Sequence, residues 1–311
     1  MKSAQRRSKT VAAKYKEPFM NHNLRTKNFL LSRFWTLFIF SAALLLLPSG
    51  PIAADVTVSE QIPVKKEIMD NIFSGGEKMH YSISWSGGIK IGDLYIQVIP
   101  LPEQQAYRIT AKVQDYGLFR LFYPVDDRFT TLVQGPLKLP YHYDVLQIEG
   151  HKKSRTHRVY EYDQEQLKIT YRKNNRKPRA FTVPGRVYNE FSAFYITRCL
   201  DFNSSENITI PTFADKKRHN VPVKVVDHRK KESIWGKIEA IKVIPKLDFK
   251  GLYDKEGDTE IWLTDDECRI PIIIKSRIVV GSLTARLIEY SNTSTGCPWA
   301  KSHKLHNVKN D

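Results

Sequence analysis

Two acidic doublets, Asp126-Asp127 and Asp265-Asp266, are the residues of this chain best suited to bond-breaking chemistry. Glycoside hydrolysis needs two carboxyl groups facing each other about 5–9.5 Å apart. Neighbours on a strand point to opposite faces, so each doublet offers one carboxylate to a shared site, and Asp127 with Asp265 would be the pair. Each doublet also has a plainer role. Thr264-Asp265-Asp266-Glu267 has the composition of a turn whose Asp side chains accept from nearby backbone N–H groups. Asp126-Asp127 lies close in sequence to Arg120 and Arg128, which can pair with it. The plainer roles need no long-range coincidence, and no catalytic residue is assigned.

Other chemistries find fewer candidates. His142, His151, His157, His219 and His228 lack the spacing and paired carboxylates of a zinc site. No Gly-x-Ser-x-Gly elbow and no phosphate-binding glycine loop occurs, so neither metal nor cofactor is expected. Cys199, Cys268 and Cys297 fit no metal knuckle and no redox pair. In an oxidising compartment Cys268 and Cys297 can bond, closing a loop of about 30 residues worth roughly 3–4 kcal/mol. Cys199 then reads as a small buried hydrophobe.

Binding has a clearer basis. His151-Lys-Lys-Ser-Arg-Thr-His-Arg158 is followed by Arg172-Lys-Asn-Asn-Arg-Lys-Pro-Arg179. Lys152, Lys153, Arg155, Arg158, Arg172, Lys173, Arg176 and Arg179 are therefore the candidates for holding an anionic lipid or polysaccharide, with a solvated surface as the alternative. In a meander of strands, residues 151–154 and 173–178 are expected at opposite ends, and screening over roughly 8 Å would split them into two patches. Tyr116 to Tyr123 crowds four aromatic residues together, as a core plug or a pocket lining.

The elements that position these residues are mostly extended. Met79, Tyr81, Ile83 and Trp85 alternate on one face, Gly87-Gly88 turns the chain, and Ile89 to Val98 returns. Similar period-two stretches recur to Tyr290, separated by turn residues such as Gly135-Pro136 and Asn174-Asn175. Strands in this number with no helices between them predict antiparallel pairing. One segment differs: Val187, Phe191, Phe194, Tyr195 and Arg198 form a helical stripe after the break at Pro184-Gly185. The expected fold is mainly β, a single strongly curved antiparallel sheet or open barrel with one central helix at about 186–199.

The address is written earlier. Phe34 to Leu47 is an apolar run of 14 residues after Arg25, Lys27 and Arg33 and before Pro48-Ser-Gly-Pro51. That is short for a bilayer span of roughly 20 residues, and it has the layout of a secretory signal peptide. Residues 1–54 read as an N-terminal extension and signal, with Met20 an alternative start, 55–72 as a linker, 73–291 as the β domain and 292–311 as a polar basic tail. The periplasm is the expected location. The alternative is an uncleaved inner-membrane anchor, through which alone the chain would touch a membrane. Residues 1–54 hold nine of the 49 basic and one of the 33 acidic residues, which leaves +8 of the overall +16 for the rest. A moderate positive charge at such an address favours anionic envelope material over nucleic acid.

Three stretches carry a resemblance: Gly75-Gly-Glu-Lys-Met-His-Tyr-Ser-Ile-Ser-Trp-Ser-Gly-Gly-Ile-Lys-Ile-Gly92, Tyr188 to Arg198, and Glu260-Ile-Trp-Leu-Thr-Asp-Asp-Glu-Cys-Arg-Ile-Pro-Ile272 continuing to Leu287. In this order the chain resembles the exported bacterial family known as domain of unknown function 3108. The resemblance implies an exported, mostly β envelope protein and assigns no catalytic residue. Together these readings lead to a non-enzymatic binding or assembly factor for an envelope lipid or anionic polysaccharide. A glycan hydrolase using paired carboxylates, and a structural subunit of an envelope complex, are the alternatives.

Overall fold

The computed structural model describes residues 62–86, 88–121, 124–150, 154–203, 208–247, 255–278, 281–299 and 303–304. The signal segment 1–54, residues 55–61 of the linker, and Lys152 and Lys153 lie outside the described residues.

The N-terminal half of the sheet is a meander. Its strands are β1 (Lys78–Trp85), β2 (Ile89–Leu101), β3 (Ala106–Asp115), β4 (Asp126–Gln134), β5 (Leu139–Glu149), β6 (Ser154–Asp163), β7 (Lys168–Lys173) and β8 (Arg179–Thr182). After helix α2 (Glu190–Cys199) come β9 (Thr209–Ala214), β10 (Lys217–Ser233), β11 (Gly236–Pro245), β12 (Lys255–Thr264), β13 (Pro271–Ile278), β14 (Ser282–Ser291) and the short β15 (His303–Lys304). The two halves join where β1 pairs with β14, so one antiparallel sheet runs β8-β7-β6-β5-β4-β3-β2-β1-β14-β13-β12-β11-β10-β9.

The sheet rolls on itself without closing its hydrogen-bond ladder. β8 and β9 are its first and last strands, yet Phe181 of β8 and Phe213 of β9 meet as tilted rings with centroids 5.6 Å apart. Tyr160 and Tyr162 of β6 also meet Phe213. The backbone contribution at this seam is a parallel bridge between Tyr188 and Thr212. Side chains rather than a ladder protect the two edges from pairing with another chain.

Helix α2 is shorter than the 186–199 expected. Val187 and Tyr188 stay extended because they bridge to β9, and the helix begins after Asn189. The Asn189 side chain accepts from the Ser192 N–H, and the Ser192 hydroxyl accepts from the Asn189 N–H, a reciprocal cap that fixes the start. Phe191 and Tyr195 pack on Phe129, Tyr143 and Phe73.

A second helix was not foreseen. Part of the expected linker folds as α1 (Lys66–Ser74), burying Ile68, Met69, Ile72 and Phe73 on one side. Its entry is tied to the end of α2 by the Lys65 N–H donating to the Cys199 carbonyl and by a bridge from Val64 to Leu200. The start of the expected tail is also packed. Asn292 and Cys297 are buried, and Trp299 stacks on Trp235 at 4.6 Å. Its polar composition hid this because the segment is held by specific bonds, with a disulfide joining Cys297 to Cys268 (Cα–Cα 5.5 Å). Gly75 is needed for the same reason: a Cβ there would run into the Asn292 side chain and the Ser294 backbone.

Candidate functional site

The acidic doublets do not form a shared site. Asp265 faces His228 and Arg269 at 3.5 and 3.9 Å. Asp266 organises its own turn, accepting from the backbone N–H groups of Cys268 and Arg269 and from the Thr264 hydroxyl. Its second oxygen accepts from the Trp299 indole at 2.6 Å. Asp127 is fully buried on the inward side of β4, accepting from the Ile148 N–H and from Gln147. In the sheet order β3, β2, β1 and β14 lie between the strand of Asp127 and that of the Asp265 turn. The neighbouring carboxyl of Asp127 is instead Glu149, bridged to it by Gln147.

The basic candidates divide between the two faces. β6 and β7 pair Arg158 with Lys173, and Tyr171 pairs with Arg179. Arg158, Lys173 and Arg179 therefore share the inward side with Tyr160, Tyr171 and Phe181, whereas Arg155 and Arg172 point outward and Arg176 occupies the turn. The described parts of the two basic runs, Ser154 to Arg158 and Arg172 to Arg179, lie at the same end of the meander, not at opposite ends. Two antiparallel steps return the chain to where it began, and Asn174 accordingly bonds His157.

Two arrangements that the sequence reading passed over stand out. The first is buried. Arg198 at the end of α2 meets Glu77 just before β1 in a bidentate pair, both bonds 2.7 Å long, with neither side chain reaching solvent. Arg198 also donates to the carbonyls of Arg269 and Cys268, and the Tyr290 hydroxyl donates to Glu77. Burial opposes the guanidinium charge, but the Glu77 carboxylate outweighs it and holds the pKa above the ordinary arginine value. Such a fully paired charge in a dry core ties elements together. The three stretches of the family resemblance meet here: Gly75 to Gly92 brings Glu77, Tyr188 to Arg198 brings the arginine, and the 260–272 stretch brings the two carbonyls. The pair is structural and closed to substrate.

The second arrangement is open. Outward side chains of β14, β1, β2, β3 and β4 line up across the strands in two rows. Ser291, Lys78, Gln97, Thr110 and Thr130 make one row, and Glu289, His80, Tyr95, Lys112 and Arg128 the other. Between them runs a groove of about 470 Å³, floored by the backbone of Met79, Ile96, Ala111 and Phe129, whose side chains are buried in the core. Five strands at about 4.8 Å spacing make it roughly 19 Å long. A second hollow of about 400 Å³ shares Lys78, Gln97 and Ser291 and runs on to Gly75 and Thr293.

His80 organises one wall. Its Nε2 lies 2.9 Å from Asp93 and its Nδ1 3.9 Å from Glu289, and its ring stacks on Tyr95 at 4.2 Å. Lys90 reaches the same Asp93 oxygen at 3.0 Å. Arg128 pairs with Asp126 at 3.2 Å, while Lys78 and Lys112 face no carboxylate within ion-pair distance among the described residues. One wall thus carries hydroxyl and amide groups and a lysine, the other the Lys112 and Arg128 cations, His80 and a partly exposed aromatic ring, with the Glu289 carboxylate at its end. That combination hydrogen-bonds hydroxyls, attracts acid groups and offers an apolar ring face. His80 was absent from the histidines singled out in the sequence. The signal present was polar alternation at 78 and 80, 95 and 97, 110 and 112, and 128 and 130. The register that turns it into a groove is not local information.

Among the described residues no helix is long and apolar enough to cross a membrane, and no three His, Cys, Asp or Glu side chains are grouped to hold a metal. The family model described as "Protein of unknown function (DUF3108)" matches residues 80–288. No curated protein matches the chain. Among solved structures the fold is similar to a beta-barrel-like protein of domain of unknown function DUF1849 from Brucella abortus. That likeness has 9% identity and a TM-score of 0.50, covering 72% of this chain and 100% of that one. At this identity it supports the barrel-like fold alone.

Proposed function

The chain belongs to the DUF3108 family of proteins of unknown function, and on that premise we propose that it is an exported, non-enzymatic protein that binds an anionic glycan of the cell envelope in the groove across β14 and β1–β4. The observation that carries this reading is the pair of cross-strand rows, one mostly hydroxyl and amide, the other bearing Lys112 and Arg128 beside the ring of Tyr95. A linear polymer of sugars fits a groove of that length, with its acid groups on the cations and a ring face on Tyr95. A lipophilic ligand would need the inward face, where α1, α2 and the aromatic side chains of the sheet already form a contiguous core. The hydrolase alternative loses its pair of carboxylates with the separation of Asp127 from Asp265.

The leader-like segment at 34–47 and a Cys268–Cys297 bond that suits an oxidising compartment support the exported location. Titrating the full chain with an oligogalacturonate and with a neutral malto-oligosaccharide of equal length tests the binding. Saturable binding of the acidic oligomer, lost in Lys112→Ala and weak for the neutral one, supports the groove. Equal affinity for both, or affinity unchanged in Lys112→Ala, removes it. Protection of the protein from external protease until the outer membrane is opened tests the location.

A further inference from the structure

The outward face of the other half of the sheet holds a hidden tryptophan. Trp262 on β12 stands opposite Lys242 of β11 and Ile273 of β13, in the row that continues to Arg286 of β14. Although it stands in the outward row of the sheet, it is only 4% exposed and packs into the buried hydrophobic cluster. Three cations cover it: the Arg229 guanidinium lies 4.9 Å from the ring, and the Lys231 and Lys242 ammonium groups lie 4.6 and 5.5 Å from it. Cation–π attraction favours each singly, but gathering them around one ring also sets them against one another.

The nearby carboxylates are too few to balance them. Asp227 pairs with Arg229 at 3.0 Å and Glu260 with Lys242 at 3.6 Å. Lys231 and Arg286 have no carboxylate within ion-pair distance among the described residues, and Lys275 adds a further positive charge opposite Glu260. Burial first, then Arg229, Arg286 and Lys242, lower the pKa of Lys231, with Asp227 alone acting against them. A half-buried cation held among like charges marks a place where an anion would be stabilised on arrival.

The geometry points to a phosphate-binding site on this face, built by Arg229, Lys231 and Lys242 over the Trp262 platform and separate from the glycan groove. A compact, multiply charged oxyanion matches three convergent donors better than a single carboxylate does. The phosphate can be free or be the head group of a lipid.

Calorimetric titration of the full chain with inorganic phosphate, in chloride of matched ionic strength, tests the site. The variants Lys231→Met and Arg229→Met keep an aliphatic stem, so Trp262 stays covered and the fold is spared. Saturable phosphate binding, weakened about tenfold or more in either variant and unchanged in Lys112→Ala, supports the site. No binding in wild type, or equal binding in all variants, overturns it for free phosphate. Flotation with phosphatidylcholine vesicles, with and without phosphatidic acid, supplies the lipid arm. Retention on the acidic vesicles that is lost in Lys231→Met identifies a lipid phosphate, and retention indifferent to both the lipid and the variant counts against it.

Discussion

Arg198 and Glu77, 121 positions apart in the chain, meet through two bonds of 2.7 Å in a place that water does not reach. Around them are Tyr81, Tyr195 and Tyr290, whose hydroxyl pKa values are all pushed up, first by burial. This pair locks the end of α2 to the start of β1 and to the turn before β13. Arg198→Met leaves the Glu77 carboxylate buried and unpaired, and should cost roughly 3–5 kcal/mol in urea unfolding. The double variant Arg198→Met/Glu77→Leu should recover much of that loss. A single-variant cost near zero would show that the pair does not lock the core.

The Cys268–Cys297 bond lies against the same network, since the Cys268 carbonyl accepts from Arg198 and Tyr290 contacts Cys297. Replacing both cysteines by serine should lower stability by roughly 3 kcal/mol through the unfolded chain's regained freedom. It should also loosen the contact of Trp299 with Trp235, read as a change in tryptophan emission before global unfolding. Unaltered emission and stability would contradict this account.

Glu149 gives a pH dependence. Burial, and then the charge of Asp127, raise its carboxyl pKa, with Arg158 acting against them. A raised folded-state value means the neutral form is favoured in the fold. The stabilising contribution is therefore complete in acid and lost as pH rises through the folded pKa. Glu149→Gln mimics the neutral form and keeps an acceptor for Gln147. The variant should be more stable than wild type at pH 7, with the difference shrinking toward pH 4 in paired urea titrations. A gap that widens in acid has the wrong sign for this mechanism.

Cys199 should be chemically silent. It is fully buried, and burial pushes its thiol pKa up to about 12. Because the thiolate is the reacting form, Ellman's reagent at pH 8 should label no thiol in the native, oxidised protein and one after unfolding in guanidinium. Rapid native labelling would mean that the end of α2 opens.

In the groove, Tyr95→Ala should remove the exposed ring face and the stacking partner of His80 together. Binding of the acidic oligosaccharide should weaken by about tenfold, in the range of an aromatic contact, while thermal stability stays within about 1 kcal/mol of wild type because Tyr95 lies outside the core. A large stability loss with unchanged affinity would reverse the assignment.

Much of the fold was legible because period-two alternation is a local property. Met79 and Tyr81 had to face inward, and the stripe of Phe191, Tyr195 and Arg198 had to be a helix. The limits of that legibility are local too. The signals preceding α2 suited a helix from 186, but the bridge of Tyr188 to Thr212 claimed the first residues, and no neighbour in sequence announces a partner 24 positions away. Trp299 and Asn292 sit in polar surroundings that read as a tail, because a segment held by a few specific bonds has no apolar pattern to show.

The chain by itself determined which side chains alternate, that the sheet is antiparallel, and which cysteines are spaced to bond. Only the tertiary structure decided that Lys78 stands beside Gln97 and Thr110 while His80 stands beside Tyr95 and Lys112, and that Arg229, Lys231 and Lys242 converge around one indole. The physical reason is register. A strand's own residues fix which face each side chain takes, but its offset against its neighbours is set by bulges, turns and core packing contributed from across the whole sheet.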